Sequence, residues 1–305
     1  MRDGAKAGSP EKPAKPQPSG ALLGSKPAPG LYLVATPIGH LDDISLRALK
    51  TLGHADLIAC EDTRMTAKLL SLLGLPRPAL TPYHEHNADR ARPGLLARLR
   101  QGAVVALVSD AGTPLLSDPG FRLVRDCLAE GLAVTSLPGA SALLPALQLS
   151  GLPCDRFLFA GFLPAKPTAR RAALAQLAAT PASLFFYESA PRLVASLGDM
   201  LTVLGNREAA VARELTKLHE EVRRGGIADL VDYYTKAGPP KGELVIGVAP
   251  PLSDQPVRSE TIEEQLRAAL ASLSARDAAA LVAAQTGSPR RQVYALALRI
   301  KAGSQ

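Results

Sequence analysis

The chain has 305 residues, enough for two domains of ordinary size, and 47% of them are hydrophobic. Aromatic residues make up only 4% and tryptophan is absent, so leucine, valine and alanine must build the core. No apolar run reaches the roughly 20 residues of a membrane span, and the net charge of +7 is spread along the chain, which only weakly favours a nucleic-acid partner.

Cysteine usage and the amino-terminal composition predict a cytoplasmic protein. The start of the chain is polar and proline-rich, without the apolar segment of a signal peptide. Cys60, Cys127 and Cys154 form no C-x-x-C pair, and each lies in or near an apolar stretch. We therefore interpret all three as reduced core residues.

Composition and hydrophobic periodicity divide the chain into four predicted segments. Residues 1–29 contain six prolines and four glycines and are predicted to be a disordered tail. We expect an N-terminal α/β domain over residues 30–140, a second α/β domain over 141–250, and a helical module over 251–305.

Short apolar runs alternate with helical patterns in both α/β domains. The first domain has predicted strands at 31–35, 55–60, 104–108 and 133–137, with helices at 41–49, 65–73 and 90–100. The second has strands at 157–161, 183–187, 209–213 and 243–247, with helices at 143–151, 168–178 and 191–204. This alternation predicts parallel or mixed sheets covered on both faces.

Residues 104–108 are a continuous apolar run, typical of a strand buried on both faces. A small polar loop follows, and Asp118 and Pro119 are predicted as the N-cap and first residue of the next helix.

Seven further polar clusters occupy strand ends. The eight clusters are 36–39, 61–64, 109–114, 138–141, 161–164, 187–189, 213–217 and 241–243. Parallel strands would bring the first four together at one sheet edge, and the full set indicates one cleft between the two domains.

The order of these motifs resembles the ribosomal RNA small subunit methyltransferase I family of the tetrapyrrole methylase superfamily. The similarity is carried by Thr-Pro-Ile-Gly, Glu-Asp-Thr-Arg, Ser-Asp-Ala-Gly-Thr-Pro, Gly-Phe-Leu-Pro, Tyr-Glu-Ser and Arg-Glu-Leu-Thr-Lys, and it runs from about residue 31 to 250. The resemblance implies S-adenosylmethionine held between the two α/β domains. It also implies 2′-O-methylation of a cytidine ribose in the decoding region of small-subunit ribosomal RNA, and a homodimer.

The cofactor-binding residues are predicted within the clusters. They are Pro37, Asp110, Ala111, Gly112, Thr113, Pro114, Ser141, Leu163, Leu215 and Gly242. No metal site is predicted, because His84 and His86 lack a third ligand cluster and fit a solvated loop.

Asp62 and Arg64 are the predicted catalytic residues. Asp62 could orient or deprotonate the ribose hydroxyl, and Arg64 could hold a phosphate of the RNA. The alternative is that the two side chains pair with each other and brace the loop. If so, Tyr187, Glu188, Glu214 and Lys241 are the next candidates.

RNA contacts are predicted at Arg64, Lys217, Arg290 and Arg291. Three helical patterns at 259–272, 275–285 and 289–301 resemble a helix-turn-helix, and the two C-terminal arginines begin its last helix. A small helical cap with solvated arginines explains the same pattern.

Three other functions fit parts of the sequence. A serine hydrolase would use Ser141, but the G-x-S-x-G elbow lacks its last glycine, since residue 143 is leucine. A non-catalytic RNA-binding protein fits the basic ends of the chain. A small-molecule tetrapyrrole methylase is the nearest alternative, and the Glu-Asp-Thr-Arg and Ser-Asp-Ala-Gly-Thr-Pro motifs argue against it by resemblance.

Overall fold

A computed structural model describes residues 24–238, 240–251, 259–271, 273–286 and 288–302. The chain forms two compact units, residues 1–251 and 252–305. Most of the predicted disordered tail, residues 1–23, lies outside the described part. In that part, no helix has the length and apolar character needed to cross a bilayer. The larger unit contains two five-stranded sheets, which confirms the predicted α/β class.

The first sheet is entirely parallel, in the order β3-β2-β4-β1-β5. Its strands are β1 Gly30–Val34, β2 Leu57–Cys60, β3 Ala79–Pro82, β4 Val104–Val108 and β5 Val134–Leu137. All five residues of the central strand β4 are buried, as its apolar run predicted. Strand β3 was not predicted, because this edge strand is short, largely exposed and ends in proline.

Helices cover both faces of this sheet. They are α1 Leu46–His54, α2 Thr63–Leu72, α3 Ala88–Arg100 and α4 Phe121–Ala129. Leucines of α1 and α2 pack on one face, and leucines of α3 and α4 pack on the other. The predicted helix 41–49 is instead a 3-10 turn, Leu41–Asp43, followed by α1, because the Ser45 hydroxyl accepts a hydrogen bond from the Ala48 amide and caps α1.

The second sheet is mixed, in the order β6-β7-β10-β8-β9. Its strands are β6 Phe157–Phe162, β7 Ser183–Ser189, β8 Glu208–Arg213, β9 Glu221–Gly226 and β10 Glu243–Val248, and its helices are α5 Leu143–Ser150, α6 Pro167–Leu177, α7 Leu193–Leu204 and α8 Ile227–Ala237. Only β6 and β7 pair in parallel; β10 runs antiparallel to both of its neighbours. Strand β9 and helix α8 were not predicted, because the β9 segment is polar and glycine-rich and occupies an edge.

Two further local predictions were wrong. Helix α4 begins at Phe121 with Gly120 as its N-cap, so Asp118 and Pro119 stay in the preceding loop. Gly120 has a φ of 141°, and a Cβ atom there would lie 2.8 Å from Leu107 and Leu115 carbons. The chain therefore turns into the helix two residues later than the capping pattern indicated. Cys154 is exposed and is not a core residue, whereas Cys60 and Cys127 are buried.

The smaller unit contains three helices, α9 Ser259–Leu270, α10 Ala275–Thr286 and α11 Arg290–Ala302. Its core is formed mainly by small and aliphatic residues, including Leu266, Val282 and Val293. Ser274 caps α10 as predicted, since its hydroxyl accepts a hydrogen bond from the Asp277 amide at 3.2 Å. The predicted turn residue Gly287 lies outside the described residues.

Candidate active site

The four predicted clusters of the first sheet meet at the carboxyl ends of its parallel strands. Thr36 and Gly112 form an isolated antiparallel bridge with two backbone hydrogen bonds of 2.9 Å. The Thr113 hydroxyl donates to the Ala140 carbonyl at 2.9 Å. The Asp62 amide donates to the Asp110 carboxylate at 3.0 Å. These contacts hold the loops after β1, β2, β4 and β5 together at the edge where α/β sheets bind ligands.

A cleft of about 380 Å³ opens at this edge, between the loops of the first sheet and strands β6, β7, β8 and β10. Its lining residues are Ile38, Glu61, Asp110, Ala111, Gly112, Thr113, Leu116, Ser117, Asp118, Ala142, Phe162, Tyr187, Glu188, Ser189, Ala212, Leu215, Gly242, Glu243, Leu244 and Val245. The walls combine eleven apolar or glycine residues with nine polar ones, five of them acidic, and such a mixture suits a small charged ligand.

Gly112 forms the floor of the cleft at a place where a side chain would not fit easily. Its φ is 81°, and a Cβ atom would lie 3.2 Å from Ile38 Cγ2. Glycine adopts this left-handed conformation without the steric penalty of other residues. The backbone of the loop after β4 can therefore contact a ligand directly.

Three carboxylates from the first sheet face the cleft: Glu61, Asp110 and Asp118. Burial and the neighbouring charge of Glu61 raise the pKa of Asp118 to about 6, against a hydrogen bond with Ser109 that lowers it. Burial, together with the charge of Asp110, also raises the pKa of Glu61. This concentration of negative charge favours a cationic ligand.

Strand β7 contributes an aromatic and a buried acidic side chain. Tyr187 packs edge-to-face against Phe162, with ring centroids 5.6 Å apart, and burial raises the pKa of its hydroxyl. The buried Glu188 carboxylate accepts a hydrogen bond from Ser196 at 2.5 Å and lies 3.3 Å from Arg192 Nε. Because Glu188 already has these partners, its role on this wall is structural.

Six of the ten predicted cofactor-binding residues line the cleft: Asp110, Ala111, Gly112, Thr113, Leu215 and Gly242. The other four, Pro37, Pro114, Ser141 and Leu163, do not line it. Ser141 is buried beside Tyr187. The Leu163 side chain packs in the core of the second sheet, and its carbonyl accepts a hydrogen bond from Arg192 at 2.6 Å. For all ten residues, cofactor binding stays a prediction.

Asp62 and Arg64 bind each other outside the cleft lining. Arg64 Nη2 donates to Asp62 Oδ2 at 2.7 Å, and the Arg64 amide donates to Asp62 Oδ1 at 2.8 Å. Asp62 is the N-cap of α2. These hydrogen bonds, the one with the Arg64 side chain foremost, lower the pKa of Asp62 to about 2. The geometry matches the bracing alternative, and a catalytic role for the pair stays a prediction.

Lys217 is held at the rim of the cleft by two carboxylates. Its Nζ lies 2.9 Å from Glu214 Oε1 and 3.2 Å from Glu243 Oε2. Burial works against the charged ammonium, but the hydrogen bonds to both carboxylates outweigh it and raise the pKa of Lys217. An RNA phosphate would have to compete with these two partners for Lys217.

The smaller unit places Arg290 and Arg291 beside Arg276 and Tyr294, around a shallow surface depression of about 530 Å³. Within the described part of the chain, none of these three arginines forms an ion pair or a hydrogen bond through its side chain. Unpaired guanidinium groups beside an exposed aromatic ring suit phosphate and base contacts. RNA binding by Arg290 and Arg291 stays a prediction.

Several lining residues were missed as individual candidates. Ser117 and Asp118 were assigned to a helix start, although Asp118 faces the cleft. Ala212 and Val245 were interpreted only as strand residues, and Phe162 lay in the cluster 161–164 without a role of its own. Their position within or next to the polar clusters could have identified them as lining residues. Residues beside a strand end lie at the same edge of the sheet as the cluster.

Two family models match the chain. The model for tetrapyrrole (corrin/porphyrin) methylases matches residues 30–231. A model described as the RsmI C-terminal HTH domain matches residues 257–301. The first covers more than half of the chain, and together the two models cover both compact units.

Individual proteins are also similar to this chain over most of its length. A protein of Erythrobacter litoralis named ribosomal RNA small subunit methyltransferase I is 54% identical over 90% of this chain and 96% of its own length. A protein of the same name from Mesorhizobium japonicum is 50% identical over 90% of this chain and 92% of its own. The fold is similar to that of the cobalt precorrin-4 methyltransferase CbiF, with a TM-score of 0.53 and 18% identity over 75% of this chain and 96% of that chain.

Proposed function

This chain belongs to the ribosomal RNA small subunit methyltransferase I family of tetrapyrrole methylases, and on that premise we propose that it methylates RNA of the small ribosomal subunit. The observation that carries the proposal is the 50–54% identity to proteins of that name over about 90% of the chain. The match includes the C-terminal unit, where Arg276, Arg290 and Arg291 surround a surface depression.

The chain is a methyltransferase that uses S-adenosylmethionine, as the motifs predicted. When bound, this donor supplies a methyl group on a positively charged sulfur. The cleft fits such a cation, since Glu61, Asp110 and Asp118 face it. Gly112 and Gly242 allow close backbone approach, and apolar side chains such as Leu215 exclude water.

The proposed target atom is the 2′-hydroxyl of a cytidine ribose in the decoding region. The resemblance of the motifs supports this finer assignment. Such a hydroxyl is a poor nucleophile, so the protein must align it with the methyl carbon and accept its proton. We further propose that the protein is a homodimer and that it works in the cytoplasm.

Family membership decides between the alternative functions. The serine hydrolase and the non-catalytic RNA-binding protein do not fit a methyltransferase family. A small-molecule substrate fits the fold relatives but not the relatives at 50–54% identity, which are named for ribosomal RNA.

The test is transfer of a labelled methyl group from S-adenosylmethionine to small ribosomal subunits and to naked small-subunit RNA, followed by nuclease mapping of the label. We expect one labelled ribose, resistant to alkaline cleavage at its 3′ side. Label on a base, or no label on either substrate, would contradict the proposal.

A further inference from the structure

Asp118 lies in the cleft because of an unusual loop conformation. Leu115 and Ser117, two residues that are not glycine, have positive φ values of 73° and 69°. Residues with side chains rarely adopt this region, and such strain is concentrated at functional sites. The loop reaches the second sheet, since a Cβ atom at Gly161 of β6 would lie 3.1 Å from Ser117 Oγ. Asp118 is therefore presented at the junction of the two sheets.

Most other carboxylates of the cleft already have structural partners; Glu61 has none among the described residues, but it is exposed, whereas Asp118 is half-buried. Asp110 accepts the Asp62 amide and fixes the loop after β2. Glu243 is bound by Lys217, and Glu188 by Ser196 and Arg192. Among the residues that the structure describes, Asp118 has no ion-pair partner, and the Ser109 hydroxyl beside it donates to the Ala111 and Gly112 carbonyls at 3.3 Å, so the Asp118 carboxylate remains able to accept a proton.

We propose that Asp118 is the general base that accepts the proton of the target hydroxyl, an assignment that rests on the proposed function. In this step the hydroxyl oxygen forms a bond to the methyl carbon, the carbon–sulfur bond breaks, and its electron pair stays on sulfur as a neutral thioether. The hydroxyl proton passes to the Asp118 carboxylate. No further oxidant, reductant or co-reactant is needed.

The electrostatic surroundings suit this role. Glu61 and Asp110 face Asp118 from the first sheet, Tyr187 faces it from the second, and Glu243 lines the same cleft. Burial and the Glu61 charge raise the pKa of Asp118 to about 6, closer to the pH at which a base works well than an ordinary aspartate. The positive charge of the donor opposes this shift, so the carboxylate is ionised at neutral pH and ready to accept a proton.

The test compares Asp118→Asn with the wild-type protein in single-turnover methyl transfer to small ribosomal subunits at saturating donor. Asparagine keeps the shape of the side chain but cannot accept the proton. We expect a rate loss of at least about 100-fold, the lower range for general-base catalysis. Donor affinity, measured by calorimetry, should stay within about threefold, which also shows that the cleft is folded.

The pH profile gives a second readout. The wild-type rate should fall as the pH drops through a pKa at or below about 6, and this limb should be absent in Asp118→Asn. Glu61→Gln removes a neighbouring negative charge, so it should move the limb to lower pH. If the rate of both variants still falls at the same pH as in the wild type, another group titrates there, and the inference is overturned.

The remaining outcomes separate the inference from the proposed function. An active wild type with an Asp118→Asn variant that retains more than about a hundredth of the rate would overturn the inference alone. A variant whose rate recovers at high donor concentration would show that Asp118 binds the donor, which also overturns it. An inactive wild type would overturn the proposed function together with the inference.

Discussion

The Glu214 carboxylate occupies the space that a side chain at Gly242 would need: a Cβ atom at residue 242 would collide with Glu214 Oε1. Glu214 Oε1 also accepts hydrogen bonds from Lys217 Nζ at 2.9 Å and from the Glu243 amide at 3.2 Å. The turn after β8 is thereby attached to the start of β10 at the rim of the cleft. Glu214 and Thr216 adopt positive φ values in this turn, 48° and 64°.

We predict that Gly242→Ala weakens donor binding by at least tenfold. The added methyl group must displace the Glu214 carboxylate, and Gly242 also has a φ of 97°. Calorimetric titration with S-adenosylmethionine measures the effect. The matched control is Gly238→Ala, which has a similar φ of 79° but no atom within 4 Å of the new Cβ. Equal losses of donor affinity in both variants would mean that backbone strain alone, which costs about 1–3 kcal/mol, causes the effect.

Gly112→Val should abolish donor binding while leaving the fold intact. Valine at a φ of 81° is strained, and its side chain would displace Ile38 at the floor of the cleft. Calorimetry reports the affinity, and circular dichroism reports the fold. Gly131→Val is the control, because Gly131 has a φ of 68° at the end of α4 with open space around it. Unchanged affinity in Gly112→Val would remove this loop from the site.

Asp62→Asn and Arg64→Ala test the predicted catalytic pair. Because Asp62 and Arg64 bind each other and Asp62 caps α2, we expect each variant to lose less than about tenfold in methyl transfer at saturating donor. Loss of the N-cap should lower stability by roughly 0.5–2 kcal/mol. A rate loss of 100-fold or more with intact donor affinity would confirm the predicted catalytic role of this pair and contradict the assignment to Asp118.

Arg290→Ala and Arg291→Ala should weaken RNA binding without changing donor affinity. Each removes one unpaired cation, so the slope of log K against log salt should become shallower by about 0.7 to 0.9 for each phosphate that is no longer bound. Arg299→Ala, at the other end of α11, removes the same charge and should have a smaller effect. Binding of the full chain to small-subunit RNA at several salt concentrations measures this. Identical effects of all three variants would indicate nonspecific attraction.

Local chemistry in the sequence determined most of the fold. Val104–Val108 has an apolar side chain at every position, which is typical of a strand buried on both faces, and the structure confirms that strand. The strand-end clusters then had to meet, because parallel strands place their carboxyl ends at one edge. The motif order also pointed to the methyltransferase family that the relatives share.

Only the tertiary structure decided which side chains enter the cleft. Asp118 followed a good helix-start pattern, yet Gly120 delays the helix and the positive φ values of Leu115 and Ser117 direct the carboxylate inward. The Asp62 carboxylate belongs to a stronger motif, but it accepts hydrogen bonds from the Arg64 side chain and from the Arg64 amide at the start of α2. Strand β9 was not predicted because its sequence is polar and glycine-rich, and only its pairing with β8 at the sheet edge defines it. Periodicity records which residues are buried, whereas the direction of a side chain in a loop depends on backbone torsions and partners that lie far apart in the chain.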